Sequence, residues 1–467
     1  MKLLRLASVL RLASTLLLLV GCNGGGGSPA SLPLSRHPGS GSSTSPIQHV
    51  VIVVQENRTF NDFFATFPGA DGTTIGKTAK EPNCKPPIKA GIIELSKVPL
   101  AVPSDLDHTY PGYKIAYDGG KLDGFDKVQY GGNGKPECTY PYQYTDPSQI
   151  KPYWDMATQY TLAEHMFTTQ GSSSFTAHQD LISGGTIVEK GKAMVDLPSC
   201  ATCFWGCDAV QGTHTSLITK KDVYLKGAGP FPCTTDFSLS YPTLRDLLDA
   251  KGLSWKYYQP PFQKLYGKLL SAFDVIAAVR NGPEWKNNVI TPESAILNDI
   301  SGGKLPAVSW VIPDLPESDH PGQSPDTGPQ WVASIVNAVG ESSYWKSTAI
   351  VIVWDDWGGL YDNMGKLSAK KYGYGGLGLR VPAIIVSPYA RAGHISTTQY
   401  EFGSILKYIE QNWNLGSLGT TDVRAASIVD CFNYSQYPIK FVPIQSSLGK
   451  SYFLHKRSSL KAPDTDM

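Results

Sequence analysis

Glu56 and Asn57 close a run of β-branched residues near the start of the chain, His49-Val-Val-Ile-Val-Val-Gln55. Asp355 and Asp356 close a second such run far downstream, Ala349-Ile-Val-Ile-Val-Trp354. Three carboxylates and an amide brought together would repel one another unless a cation lay between them, because like charges at short range disfavour joint ionisation. Oxygen donors of this kind select a hard divalent ion. A third segment, Gly171-Ser-Ser-Ser-Phe-Thr-Ala-His178, is a small-residue turn opening a helix. A hydroxyl at a helix start lies beside unpaired backbone N–H groups and the positive end of the dipole, which suits a nucleophile that attacks phosphorus and then carries a phosphoryl group. An isolated serine in such a place is ordinarily only an N-cap. His178 lies one turn beyond Ser174 and faces the same side. His108, in Ser104-Asp-Leu-Asp-His-Thr-Tyr110, and His320, in Pro313-Asp-Leu-Pro-Glu-Ser-Asp-His-Pro321, sit in polar loops. An imidazole there can give or take a proton near neutral pH, although most loop histidines are simply solvated.

These groups need a frame. A continuous Val/Ile run followed by turn residues reads as a strand buried on both faces, as in a parallel sheet covered by helices, and in such sheets ligands bind outside the carboxyl ends of the strands. Further strands are expected at 254–259, 307–313 and 381–387, and helices at 243–252, 330–339 and 402–412; residues 153–167 read as a helix running into a short strand. Strands alternating with helices predict an α/β fold with a mostly parallel central sheet flanked by helices. Residues 75–150, rich in Gly, Pro, Tyr and Lys without periodicity, are expected as long surface loops. Residues 185–240 are expected as a cysteine-bearing insertion over the sheet, and 441–467 as a weakly structured polar tail. The catalytic domain would then span 47–440 as one unit.

The 467 residues carry a formal net charge of +1 and no polybasic tract. That disfavours nucleic acid as a partner, since phosphate backbones are held by clustered Lys and Arg. Residues 1–22 combine a basic start with a short apolar stretch ending Leu19-Val-Gly-Cys22. The stretch is too short to span a bilayer and reads as a secretory signal. Residues 23–46, rich in Gly, Ser and Pro, are expected as a flexible tether. Cys84, Cys138, Cys200, Cys203, Cys207, Cys233 and Cys431 then form an odd set in an oxidising compartment, so disulfides are expected and one thiol is left over. Cys200, Cys203 and Cys207 lack the second ligand pair of a zinc finger and read as a local disulfide framework involving Cys233, with connectivity open.

Taken in order, Glu56-Asn-Arg-Thr-Phe-Asn-Asp-Phe-Phe64, the segment ending at His108, Ser174-Phe-Thr-Ala-His178, Ser318-Asp-His-Pro321 and Trp354-Asp-Asp-Trp-Gly-Gly-Leu-Tyr-Asp362 resemble the motifs of the bacterial phosphoesterase family. That family holds acid phosphatases and phosphatidylcholine-type phospholipases C within the alkaline-phosphatase-like superfamily. Leu19 to Cys22 resembles the bacterial lipobox, which implies diacylation of Cys22 and a lipoprotein anchored in the membrane of the cell envelope; a periplasmic or secreted protein is the alternative. The family resemblance covers residues 48–415 and implies one divalent metal ion held by Glu56, Asn57, Ser174, Asp355 and Asp356. It implies Ser174 as nucleophile, with a phosphoseryl intermediate, and His108, His320 and His178 as further catalytic residues. His108 and His320 would bind the nonbridging oxygens or protonate the leaving alcohol.

Two departures from the family pattern bear on substrate. The nucleophile position is Ser174, as in the acid phosphatase branch, where the phospholipases carry Thr followed by Phe-Pro-Asn. The chain also has Asn363 where the family often has His. The expected activity is therefore an acid-phosphatase-type phosphomonoesterase acting on a phosphate-ester substrate. The alternatives are a phospholipase C, with an aromatic cage supplied by loops at 110–160 and 200–210, and a non-catalytic surface binding protein.

Overall fold

The computed structural model describes residues 45–129, 135–199, 206–210, 212–229, 233, 241–262, 265–364 and 372–459. The expected signal, Cys22 and nearly all of the expected tether lie outside these residues. Among the described residues no helix is long and apolar enough to cross a membrane.

Eight strands form the central sheet: β1 (His49–Gln55), β2 (Thr161–Ala163), β3 (Trp255–Tyr258), β4 (Val289–Ile290), β5 (Val308–Val311), β6 (Thr348–Trp354), β7 (Ala383–Val386) and β8 (His394–Ser396). They lie in the order β4-β3-β5-β1-β6-β7-β2-β8. The stretch from β4 to β6 is parallel throughout. β7 runs antiparallel to both β6 and β2, and β8 is parallel to β2. The expected mostly parallel α/β sheet is present, with β7 as the reversed member. β1 and β6 are buried almost end to end, which is why their Val/Ile runs do not alternate with polar residues.

Register then decides what meets at the strand ends. Gln55 pairs with Trp354, and the N–H of Asp355 donates to the carbonyl of Gln55 at 2.9 Å. The residues that follow, Glu56 and Asp355, therefore leave the sheet side by side.

Three helices matter to the site: α1 (Ser174–Ser183), α2 (Gly328–Gly340) and α3 (Phe402–Trp413). α1 is buried on every side. It begins after Ser173, whose backbone is extended, and ends at Gly184 with a φ of 70°, a left-handed stop suited to glycine.

Two regions differ from expectation. Residues 75–150 are not merely surface loops: Ile75–Thr78 pairs with Gly91–Glu94, Ser96–Val98 pairs with Gln143–Thr145, and Tyr110–Tyr117 is helical. Leu106, Tyr110, Tyr113, Phe125 and Tyr142 pack with Trp357 and Tyr361 in a second apolar core. Sequence periodicity misses this because the burial comes from scattered aromatic residues meeting in space. The expected polar tail also packs over part of its length, since Ile444 and Phe453 are buried and α4 (Lys450–His455) is helical. Two large apolar side chains suffice to dock a short polar segment.

Within 185–240, Ile187–Glu189, Lys192–Val195, Ser216–Thr219 and Tyr224–Leu225 form a separate antiparallel sheet. Cys207 is disulfide-bonded to Cys233 and Cys84 to Cys138, while Cys431 is a buried free thiol. Cys200 and Cys203 lie outside the described residues.

Candidate active site

Asn57 is the hub. Its φ of 56° is left-handed, a conformation asparagine tolerates better than most residues. The turn is fixed by its N–H, which donates to Asp355 Oδ1 at 3.0 Å; the N–H of Asp356 donates to the same oxygen at 2.7 Å. Gly358 lets the downstream loop close over this point: its φ is 56°, and a Cβ there would stand 2.2 Å from the carbonyl oxygen of Asn57.

The Asn57 side chain sorts the surrounding groups. Its Oδ1 accepts from Ser174 Oγ at 3.3 Å, and Ser174 Oγ also lies 3.2 Å from Asp356 Oδ2. Its Nδ2 faces His320 Nε2 at 3.0 Å and His108 Nε2 at 3.4 Å. Both imidazoles are anchored through the other nitrogen: His108 Nδ1 donates to the Leu106 carbonyl at 2.7 Å and His320 Nδ1 to that of Pro321 at 2.6 Å. Those bonds fix the tautomer and leave the lone pair of each Nε2 to accept from the Asn57 Nδ2–H. His108 Nε2 is also 3.7 Å from Asp356 Oδ2.

On the other side of Asn57 lies a second group. Glu56, His178 and Asp355 each offer a ligand atom, and these atoms lie within 4.8 Å of one another. His178 Nε2 is 3.0 Å from Glu56 Oε1 and 3.7 Å from Asp355 Oδ2. Glu56, Asp355 and Asp356 are fully buried, and Asp355 Oδ2 makes no hydrogen bond. A buried carboxylate oxygen without a hydrogen bond, beside another carboxylate and an imidazole, fits a cation. Glu56 and Asp355 belong both to this cluster and to the oxygen-donor set read from the sequence. That set is completed by Asn57, Ser174 and Asp356, which stand together on the Ser174 side. His178, expected among the catalytic groups, stands instead with the two carboxylates, because one helical turn carries it from Ser174 to Glu56.

The structure thus brings together all eight residues singled out in the sequence. It also separates the three serines. Ser172 Oγ accepts from the Asp196 N–H at 2.8 Å, Ser173 is buried just outside the helix, and only Ser174 faces Asn57 and Asp356.

Three further residues support the site and carry no strong signal in the sequence. Asp105, inside the segment ending at His108, places Oδ2 3.6 Å from His320 Nε2. Arg58 is fully buried, pairs with Asp62 at 3.0 Å, and donates to the carbonyls of Asp319 and Leu100 at 2.7 and 2.8 Å. Asp319 accepts on one oxygen from Tyr153, Trp354 and Gln55 at 2.7, 3.1 and 3.2 Å. Burial pushes the Asp319 carboxyl well above its ordinary range. Burial also raises Asp62, with the Arg58 charge pulling the other way. Motif neighbours such as these are visible in the sequence, but whether they touch substrate or brace the residues that do is not.

Residues 47–416 match the profile of the Phosphoesterase family. The chain is 23% identical over 451 residues to a non-hemolytic phospholipase C of Pseudomonas aeruginosa, covering 87% of this chain and 60% of that one. It is 22% identical over 437 residues to phospholipase C A of Mycobacterium tuberculosis, covering 84% of this chain and 78% of that one. It therefore spans about 60% of the length of the Pseudomonas protein. Among solved structures, a Vibrio parahaemolyticus protein of the alkaline phosphatase superfamily aligns with a TM-score of 0.37 and 11% identity, covering 83% of this chain and 72% of that one.

Proposed function

Because the chain belongs to the Phosphoesterase family, we propose that it hydrolyses phosphate esters through Ser174, with a phosphomonoester as its preferred substrate. The observation that carries this reading is the position of Ser174 Oγ, at the start of α1, between Asn57 Oδ1 and Asp356 Oδ2 and across the Asn57 amide from two fixed imidazoles. Glu56 and Asp355 would hold a divalent ion, joined by His178 on one side and by Asn57, Ser174 and Asp356 on the other. Such an ion supplies Lewis-acid charge that acidifies a nearby hydroxyl and offsets charge on a phosphoryl group.

In the first step the Ser174 Oγ–P bond forms and the bond from phosphorus to the alcohol oxygen breaks. Asp356 Oδ2, the nearest carboxylate oxygen, takes the serine proton. His320 or His108 gives a proton from Nε2 to the departing alcohol. Water then attacks phosphorus and gives a proton to the imidazole that protonated the alcohol, the P–Oγ bond breaks, and Ser174 recovers its proton from Asp356 as phosphate leaves. The chain's own contribution is positioning and charge complementarity, the main resources of phosphoryl-transfer catalysis.

Serine at position 174 supports the phosphomonoesterase reading, as does the packing of Tyr110, Tyr113 and Tyr117 into the second core rather than around an open cage. The other half of the cage expected at 200–210 lies mostly outside the described residues. A second reading, phospholipase C, is supported by the names of the curated relatives. The proposed lipid anchor at Cys22 would place either activity at a membrane, and Cys22→Ser should release the protein into the soluble fraction.

The deciding experiment compares an aryl phosphate with phosphatidylcholine vesicles over a pH series, for the wild type and Ser174→Ala. Turnover of the aryl phosphate that disappears in Ser174→Ala, by roughly a thousand-fold or more, is the expected result. Near wild-type rates in that variant would overturn the assignment, and a preference for the vesicles would select the second reading.

A further inference from the structure

We propose that Lys456 is a positioning residue: the carboxy-terminal segment 450–459 straps down the turn at 314–320 and so sets where His320 stands. The inference rests on the reading above for its catalytic consequence, although its structural half can be measured without it.

The strap is docked by packing. Phe453 on α4 is buried and packs against Trp331 of α2 in a tilted pair with ring centroids 5.2 Å apart. Just past the helix, Lys456 turns inward. Its Nζ lies 2.5 Å from Glu317 Oε2, 3.0 Å from Asp314 Oδ2 and 3.3 Å from Glu293 Oε1. The lysine side chain is 10% exposed and each of the three carboxylates 1%. This is not a surface ion pair of negligible worth. It is one ammonium holding three buried acids, and a buried acid stripped of its partner is costly. The N–H of Ser459 adds a bond to Asp314 Oδ2 at 2.6 Å.

The turn that Lys456 grips from outside reaches the site from inside. The Glu317 carbonyl accepts from Gln55 Nε2 at 2.9 Å, and the Ser318 carbonyl accepts from the Glu56 N–H at 2.8 Å. Ser318 Oγ donates to the Leu315 carbonyl at 2.7 Å and accepts from the His320 N–H at 3.2 Å. His320 thus inherits its position from a turn of which two acidic side chains, Asp314 and Glu317, end on one lysine.

Four groups face one another here: Glu293 before the helix at 295–301, Asp314 and Glu317 on the turn, and Lys456 on the strap. Burial, working against the Lys456 charge, pushes Glu317 up to about 8 and also raises Glu293. Burial opposes the Lys456 charge too, yet Glu293, Glu317 and Asp314 hold the ammonium above its ordinary range. Without the lysine the acids can be relieved in two ways, by taking up protons or by opening the turn. Acid pH supplies the first route and alkaline pH forces the second.

The test uses the full chain as wild type, Lys456→Met, Lys456→Arg and the double variant Lys456→Met/Glu317→Gln. Hydrolysis of p-nitrophenyl phosphate is followed from acid to alkaline pH, and amide hydrogen exchange is followed in peptides covering 314–322. In Lys456→Met, kcat should fall roughly ten- to a hundred-fold at alkaline pH and less at acid pH, with KM little changed, the scale expected when a catalytic group is misplaced by about an ångström. Exchange over 314–322 should accelerate in parallel. Lys456→Arg should stay near wild type, and the double variant should recover part of the loss. A folded Lys456→Met with wild-type exchange over 314–322 and a wild-type pH profile would overturn the proposal. So would a loss of kcat that is the same at every pH with exchange unchanged. Should Lys456→Met not fold, the double variant carries the same comparison. If the wild type does not hydrolyse the aryl phosphate, the catalytic reading has failed, and the exchange measurement alone decides whether the strap holds the turn.

Discussion

The backbone N–H of Asn57 donates to Asp355 Oδ1 at 3.0 Å, joining residues 298 apart in sequence. The bond makes one structure of two strand ends. It spends one oxygen of Asp355 on holding the Asn57 turn and leaves Oδ2 beside His178 and Glu56. The same carboxylate is thus both a brace for the left-handed turn and a candidate ligand.

Those two roles can be separated. Asp355→Asn keeps an oxygen that can accept the Asn57 N–H but removes the charge. We expect the variant to fold with a wild-type circular dichroism spectrum while its bound divalent metal, read by mass spectrometry, falls from about one per chain towards none. Phosphoesterase activity should fall with it. Metal retained at the wild-type level would place the ion elsewhere. His178→Gln should weaken metal affinity by about ten- to a hundred-fold, as loss of a ligand or of its bonded neighbour does.

His320 and His108 both present Nε2 to the Asn57 amide, and kinetics can tell them apart. A group that protonates the leaving alcohol matters most when that alcohol is a poor leaving group. We expect His320→Gln to lower kcat by about a hundred-fold or more on an alkyl phosphate and far less on p-nitrophenyl phosphate. Equal losses on both substrates would assign His320 to the nonbridging oxygens instead.

Arg58 and Asp62 form a fully buried pair one turn from the site. Arg58→Met leaves Asp62 buried without its cation, which should cost about 3–5 kcal/mol and lower the urea midpoint accordingly. Asp62→Asn in the same background should restore part of that loss. A single variant as stable as wild type would show that the pair is dispensable.

Asp196 gives the stability of the fold a pH dependence. Burial raises its carboxyl to about 7, well above the ordinary 3.8. The folded state therefore binds a proton more tightly than the unfolded chain. The resulting stabilisation is complete below the unfolded value and is lost as pH rises through about 7. Asp196→Asn removes the titration while keeping an acceptor for the Tyr110 N–H. The drop in Tm between about pH 5 and pH 8 should be smaller in the variant than in wild type, and parallel Tm curves would show that Asp196 does not govern it.

What the sequence by itself determined is the frame and the cast. The Val/Ile runs of β1 and β6, unbroken by polar residues, require strands buried on both faces, and their abrupt acidic ends require those acids to meet something at the sheet's edge. Periodicity located the helices at 243–252, 330–339 and 402–412, seen as Leu244–Lys251, Gly328–Gly340 and Phe402–Trp413. Residue type and spacing named Glu56, Asn57, His108, Ser174, His178, His320, Asp355 and Asp356. Only the tertiary structure decided where they stand relative to one another, because distances between segments are set by packing and register rather than by anything local. It directed Ser174, not Ser172, at Asp356, and it put His178 with Glu56. It also buried the tyrosines of 110–117 and brought Lys456 from an apparently polar tail under the turn that carries His320. A charged residue near the end of a chain reads as solvated unless an apolar neighbour docks it. Here Phe453 does so against Trp331, a contact no window along the sequence contains.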